Sequence, residues 1–199
     1  MDTKWAYVIQ RKPDGSIKKY KARKVGRGLT QKYGINYDET YSQMMRPETF
    51  KILLVIALHH RWDVRQWDVA AAYLQAPLKH DIYISDVNEE GETEYWLLHK
   101  ALYGLKQSGH EWYEMLISIL AEVGFDQCVG DEGCFYSGKA AMGAHIDDIL
   151  AVGPKEELDT VDEGIGHTVE LDKRGRPVRV LVRTGSIALI FCSHISPWI

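Results

Sequence analysis

Two adjacent acids, Asp147 and Asp148, stand between the apolar stretch 140–144 and the apolar run Ile149-Leu150-Ala151-Val152. Short apolar segments that close on a polar pair bury themselves best by folding back on each other. The spacing therefore predicts an antiparallel hairpin with carboxylates at its turn, at least one of them aimed at the sheet surface. An Asp-Asp pair carries little weight by itself, since 14 Asp among 199 residues give about one such pair by chance. Weight comes from Asp68, 79 positions before Asp147. The stretch Asp63-Val64-Arg65-Gln66-Trp67-Asp68-Val69 alternates, with Val64, Gln66 and Asp68 on one face and Arg65, Trp67 and Val69 on the other. Three carboxylates converging from neighbouring strands supply the hard oxygen ligands of a two-magnesium site, in which the ions sit ~3.5–4 Å apart.

The rest of the chain supports an antiparallel sheet backed by helices. Residues 5–9 and 17–23 flank the turn cluster Pro13-Asp14-Gly15-Ser16 and predict a hairpin. From Pro47 a run that is apolar on most faces predicts a buried helix beneath a sheet. Residues 81–84 and 95–98 predict a second hairpin around an acidic loop, 86–94. An amphipathic helix is expected over 107–123, striped with Trp112, Met115, Leu116, Ile119, Leu120 and Val123 and capped by Gly124. Short strands follow at 134–136 and 140–144. Strands and helices mix without a βαβ rhythm, so the expected class is α+β.

Composition sets outer bounds. With 45% hydrophobic and 26% charged residues, the chain has the balance of a globular domain with a substantial core. Its longest fully apolar run, residues 52–58, is far short of the ~20 residues of a membrane span. No signal-peptide pattern precedes the first strand, so the expectation is neither secretion nor membrane insertion. Cys128, Cys134 and Cys192 lack the paired spacing of a zinc knuckle and read as buried free thiols. The net charge of −4 conceals a gradient: residues 1–32 hold ten Lys or Arg against two acids, an excess of eight, which leaves −12 on the remainder. A basic lobe beside an acidic remainder suits a protein that meets polyphosphate at one end and holds cations at the other, although a solvated basic hairpin has the same signature.

A series of motifs then resembles one family. The stretches Tyr20-Lys21-Ala22-Arg23-Lys24-Val25-Gly26-Arg27-Gly28-Leu29-Thr30-Gln31, Tyr33-Gly34-Ile35-Asn36-Tyr37-Asp38-Glu39-Thr40-Tyr41-Ser42 and Arg46-Pro47-Glu48-Thr49 resemble the opening of a copia-type retrotransposon reverse transcriptase. Gln66-Trp67-Asp68-Val69-Ala70-Ala71-Ala72-Tyr73-Leu74 and Lys100-Ala101-Leu102-Tyr103-Gly104-Leu105-Lys106-Gln107-Ser108 continue it in order. The resemblance covers residue 4 to about residue 153, and 169–181 still resemble the strand-turn-strand that follows. It implies the fingers and palm of a right-hand polymerase, an antiparallel palm sheet backed by helices with the thumb missing. The implied partition is a partial reverse transcriptase domain at 1–181 and a divergent tail at 182–199.

The resemblance also implies roles. Asp68, Asp147 and Asp148 would be the catalytic, metal-binding carboxylates for two Mg2+ ions, with Mn2+ as a substitute. Lys21 and Arg23 would grip the triphosphate, where a guanidinium suits phosphate oxygens. The Val69 backbone would lie near that triphosphate. Tyr73 would be a steric gate against the 2′-hydroxyl; outside this motif it would read as a core aromatic. Gln107, beside Lys106, would touch the incoming nucleotide and the template base. The implied partners are an RNA or DNA template with its primer, deoxynucleoside triphosphates, and the integrase and RNase H of a larger Gag-Pol polyprotein. No membrane is implied, and the implied location is a cytoplasmic virus-like particle or the nucleus. His145 stands where the family has Tyr, and Gly109 where it commonly has Pro. Two functional readings follow: an RNA-directed DNA polymerase domain, or an inactive remnant with at most residual nucleic-acid binding.

Overall fold

The computed structural model describes residues 1–173, 179–183 and 186–190. In chain order the elements are β1 (Thr3–Arg11), β2 (Ile17–Gly26), α1 (Pro47–His60), β3 (Asp63–Val69), β4 (Pro77–Val87), β5 (Thr93–Lys100), α2 (Ser108–Glu122) and β6 (Asp126–Cys128). They continue with β7 (Asp131–Tyr136), β8 (Ala141–His145), β9 (Asp148–Gly153), α3 (Lys155–Thr168), β10 (Leu171–Lys173), β11 (Arg179–Arg183) and β12 (Ser186–Ile190). Every pairing between these strands is antiparallel, as the α+β expectation requires. The chain divides into two compact units: Met1–Ser42 with Ala71–Met115, and Gln43–Ala70 with the chain from Leu116 onward. Among the described residues no helix is long and apolar enough to cross a membrane.

The second unit is built on a six-stranded sheet of order β10-β3-β9-β8-β7-β6. Its centre is β9, whose Ile149, Leu150, Ala151 and Val152 are all buried, so the apolar run after Asp148 is covered on both faces. One cover is α1, started by Pro47 at its first position. Its Leu53 and Ala57 meet Cys134 and Val152, with Val64 packed against the same cluster. The sequence, apolar on most faces, suggested a buried helix beneath a sheet; the helix does pack on the sheet, but it is buried on one stripe only. Leu53, Leu54 and Ala57 face inward while Ile52, Val55 and Leu58 are about half exposed, because a helix lying on a sheet buries only one stripe.

The other cover is α3, which rests on β9 and β3 and buries Leu158, Val161 and Ile165. Arg65 ties it down through a 2.6 Å ion pair with Asp159. Val64 and Arg65 are adjacent in β3, so α1 and α3 lie on opposite faces of the strand. The face carrying Val64 also carries Gln66 and Asp68. A further fixed point is the approach of residues 44–45 to β7 and β8, where the Met45 amide donates to the Ala144 carbonyl at 2.9 Å. A Cβ on Gly143 would run into the Met45 side chain, and one on Gly133 into the backbone of Met44 and Met45.

The first unit contains two hairpins, β1–β2 and β4–β5. The β1–β2 turn is closed by Gly15 at φ +83° and by the Asp14 carboxylate, which accepts from the Ser16 amide and hydroxyl. Both β4 and β5 reach further than the sequence suggested, leaving 88–92 as the connecting loop. The helix expected at 107–123 is α2, and its end at Gly124 (φ +83°) has the two bonds of a Schellman cap, Gly124 N–H to Ala121 and Phe125 N–H to Leu120.

The boundary suggested at 181/182 falls inside β11, which pairs with β12. Residues 184–185 and 191–199 of the suggested tail lie outside the described residues, Cys192 with them. Cys134 is buried and Cys128 half-buried, both as free thiols. Burial pushes the Cys134 thiol up to about 12, with the neighbouring Cys128 adding to the effect.

Candidate active site

The strand order brings the three aspartates together. Asp68 is opposite Asp148 in the β3–β9 ladder, and His145 is opposite Asp148 across the β8–β9 turn. Residues opposite each other share a face, so Asp68, Asp148 and His145 all look out on one side of the sheet. Asp147 occupies the turn itself. That turn has only two residues, Ile146 and Asp147, and Ile146 adopts φ +57°. This is the left-handed region, unfavourable for a β-branched residue and often found at functional sites. The Val69 amide donates to the Asp147 carbonyl at 2.8 Å and clips the turn to the end of β3.

One carboxylate oxygen from each of Asp68, Asp147 and Asp148 lies within 4.8 Å of the other two, and all three residues are half-buried. Ligands of one magnesium ion, bound at ~2.1 Å each, can be no more than roughly 4.2 Å apart. The 4.8 Å spread is slightly wider than that limit, so a small inward turn of the side chains would close the cluster on an ion, and its all-carboxylate donor set suits a hard cation. Gln66, two residues before Asp68 on the same face, donates from Nε2 to Asp148 Oδ1 at 3.1 Å. That bond holds one carboxylate of the cluster in place. The sequence reading passed over Gln66, although period-2 alternation already put it on the face of Asp68. Backbone register further places Asp172 of β10 opposite Asp68.

The remaining candidates lie in the first unit. Lys21 and Arg23 alternate along β2, opposite Val8 and Ala6, and so share one face of the hairpin. Arg23 is exposed and holds its guanidinium carbon 5.2 Å from the centroid of the Tyr103 ring. Tyr73 belongs to a 3-10 turn at Ala72–Gln75 that follows Ala71 at φ +49°. Its ring packs on that of Tyr103 with centroids 5.0 Å apart.

Gln107 is 1% exposed. Its Oε1 accepts from Gln31 Nε2 at 2.9 Å and its Nε2 donates to the Asn36 carbonyl at 2.9 Å. Both ends of the amide are thus engaged within the protein, in support of residues 31–36. Lys106 braces the same segment, with Nζ 3.2 Å from the Gln31 carbonyl and 3.3 Å from the Tyr37 hydroxyl. Gly109, in the first turn of α2, faces the Ser42 side chain, and a Cβ there would stand 3.1 Å from Ser42 Oγ.

Residues 1–175 match the family described as reverse transcriptase (RNA-dependent DNA polymerase). The chain belongs to that family. It is 36% identical over 158 residues to the Retrovirus-related Pol polyprotein from transposon RE1 of Arabidopsis thaliana, covering 75% of this chain and 11% of the relative. It is 29% identical over 164 residues to the corresponding polyprotein from transposon TNT 1-94 of Nicotiana tabacum, covering 78% and 12%. With the transposon Ty1-BL Gag-Pol polyprotein of Saccharomyces cerevisiae it shares 31% identity over 151 residues, 72% and 8% of the two chains. The copia-type reverse transcriptase read from the motifs is borne out by these matches. The chain spans about a tenth of the length of the curated relatives it matches.

Proposed function

We propose that this reverse transcriptase chain carries the nucleotidyl-transfer centre of an RNA-directed DNA polymerase, and that it works as one segment of a Pol polyprotein that also supplies integrase and RNase H. In this reading the unit with the six-stranded sheet is the palm and the unit with the basic hairpin is the fingers. The observation that carries it is the clustering of the Asp68, Asp147 and Asp148 carboxylates where the end of β3 meets the β8–β9 turn.

These three residues would hold two Mg2+ ions, or Mn2+ in their place. Such ions supply Lewis-acid stabilisation of phosphate oxygens and a lowered pKa for an attacking hydroxyl. The protein's own contribution is to fix the carboxylates before substrate arrives, through the β3–β9 register, the Val69 clip and the Gln66 bond. This is electrostatic preorganisation, in which donors and charges need not reorganise during reaction. Lys21 and Arg23 neutralise the triphosphate of a deoxynucleotide, and the excess of Lys and Arg in residues 1–32 attracts template and primer through their phosphates. Tyr73 excludes the 2′-hydroxyl. The place of work is a cytoplasmic virus-like particle or the nucleus.

The test is primer extension by the 199-residue chain on poly(rA)/oligo(dT). Extension that requires Mg2+ or Mn2+ and disappears in Asp147→Asn supports the reading. Absence of extension under every metal condition sinks it for this chain.

A further inference from the structure

Tyr103 stands between the two groups assigned to the ends of the nucleotide, with Tyr73 packed on its ring and the Arg23 guanidinium beside it. We propose that Tyr103 is a positioning residue for sugar selection, holding the Tyr73 ring in place and coupling it to the phosphate-binding Arg23. The proposal rests on the reading of Tyr73 as the gate and Arg23 as a triphosphate ligand.

The mounting of the two tyrosines differs. Tyr73 sits in a four-residue 3-10 turn, Ala72–Gln75, and its residue is only half-buried. Such a turn has few backbone hydrogen bonds to hold a ring still. A gate works by steric repulsion, which changes steeply over fractions of an ångström, so its discrimination depends on what stands behind the ring.

Tyr103 can serve as that support because its own backbone is pinned. Its carbonyl accepts from the Gly26 amide at 2.8 Å, and the next carbonyl, that of Gly104, accepts from Gly28 at 3.1 Å. Gly104 has φ +90°, and a Cβ there would strike the Gly26 carbonyl and the Val25 side chain. The Tyr103-Gly104 turn is thus seated on the end of β2, the strand that carries Arg23. An aromatic pair and a cation–π contact together make the ring a shared wall between residues 23 and 73. Because Tyr103 reaches neither the phosphates nor the sugar in this scheme, its loss should alter discrimination more than affinity.

The experiment compares dATP with ATP, which differ only at the 2′-position, by calorimetric titration of the full chain in Mg2+. The wild type is expected to prefer dATP. Tyr73→Ala removes the preference, Tyr103→Ala lowers the ratio of dissociation constants roughly five- to tenfold with a smaller change in dATP affinity, and Tyr103→Phe, which keeps the ring, restores it. Circular dichroism monitors folding, and Tyr103→Leu replaces Tyr103→Ala if the latter does not fold. If Tyr73→Ala does not alter the preference, or the wild type has none, the gate reading fails and the proposal with it. If Tyr73→Ala removes the preference while Tyr103→Ala or Tyr103→Leu retains it, the gate stands and the role of Tyr103 is overturned.

Discussion

Asp68 and Asp148 face each other directly across β3 and β9, and Asp147 adds a third carboxylate within 4.8 Å. Like charges held this close oppose folding unless a cation lies among them. Neutralising one acid should therefore stabilise the metal-free protein while weakening its response to metal, a trade of stability against function. Asp68→Asn is expected to gain about 1 kcal/mol in chelator, seen as a rise of roughly 2–4 °C in the melting midpoint. Wild type should gain stability on adding Mg2+, and Asp68→Asn should gain much less. Equal Mg2+ shifts in the two proteins would argue against cation binding at this cluster.

The Ile146 backbone gives a second prediction. A β-branched residue at φ +57° forgoes about 1–2 kcal/mol relative to a residue at ease in the left-handed region. Ile146→Gly should then stabilise the chain by roughly 0.5–1 kcal/mol, after allowance for the greater freedom of glycine in the unfolded chain. Denaturant unfolding measures this. A loss of stability would mean that contacts of the Ile146 side chain outweigh the strain of its backbone.

Much of this arrangement was legible in the sequence, for local reasons. The alternation of 63–69 fixed which face carries Asp68, and the apolar runs around Asp147 and Asp148 fixed the hairpin. Gln66 follows from the same period and was missed only because a neutral side chain in a strand attracts no notice. Gln107 could not be placed in this way. Its partners Gln31 and Asn36 are 76 and 71 positions away, and no local pattern announces a buried amide bridging such distances. The half-exposed outer stripe of α1 was hidden for a related reason: Ile52, Val55 and Leu58 are as apolar as the residues that do meet the sheet.

Asp131 makes stability depend on pH. Burial raises its pKa, but bonds from the Thr49 side chain and from the Arg46 and Gly133 amides together outweigh that, and the carboxyl lies below its ordinary value of 3.8. The Arg46 bond, at 2.9 Å, ties Asp131 to the residue just before α1. A depressed folded pKa favours the ionised form on folding, so this stability is complete above the ordinary value and drains away as pH falls through the lower folded one. Asp131→Asn, which keeps only one acceptor oxygen for these donors, should cost roughly 1–3 kcal/mol at neutral pH, and its stability should fall less than that of wild type on acidification below about pH 4. Parallel pH profiles for the two proteins would contradict this account.

Gln107 closes the network around residues 31–36, and its removal should be felt there. Gln107→Ala leaves the Gln31 amide and the Asn36 carbonyl without the partners they now have, a loss of about 1–3 kcal/mol for buried polar groups. Gln31→Ala deletes one of the same bonds from the other side, since Gln31 Nε2 donates to Gln107 Oε1. The double variant should therefore be less destabilised than the sum of the two single ones, by about 0.5 kcal/mol or more. Denaturant unfolding of the four proteins measures the coupling. Strict additivity would separate the two glutamines energetically and return Gln107 to a role in contacting nucleotide alone.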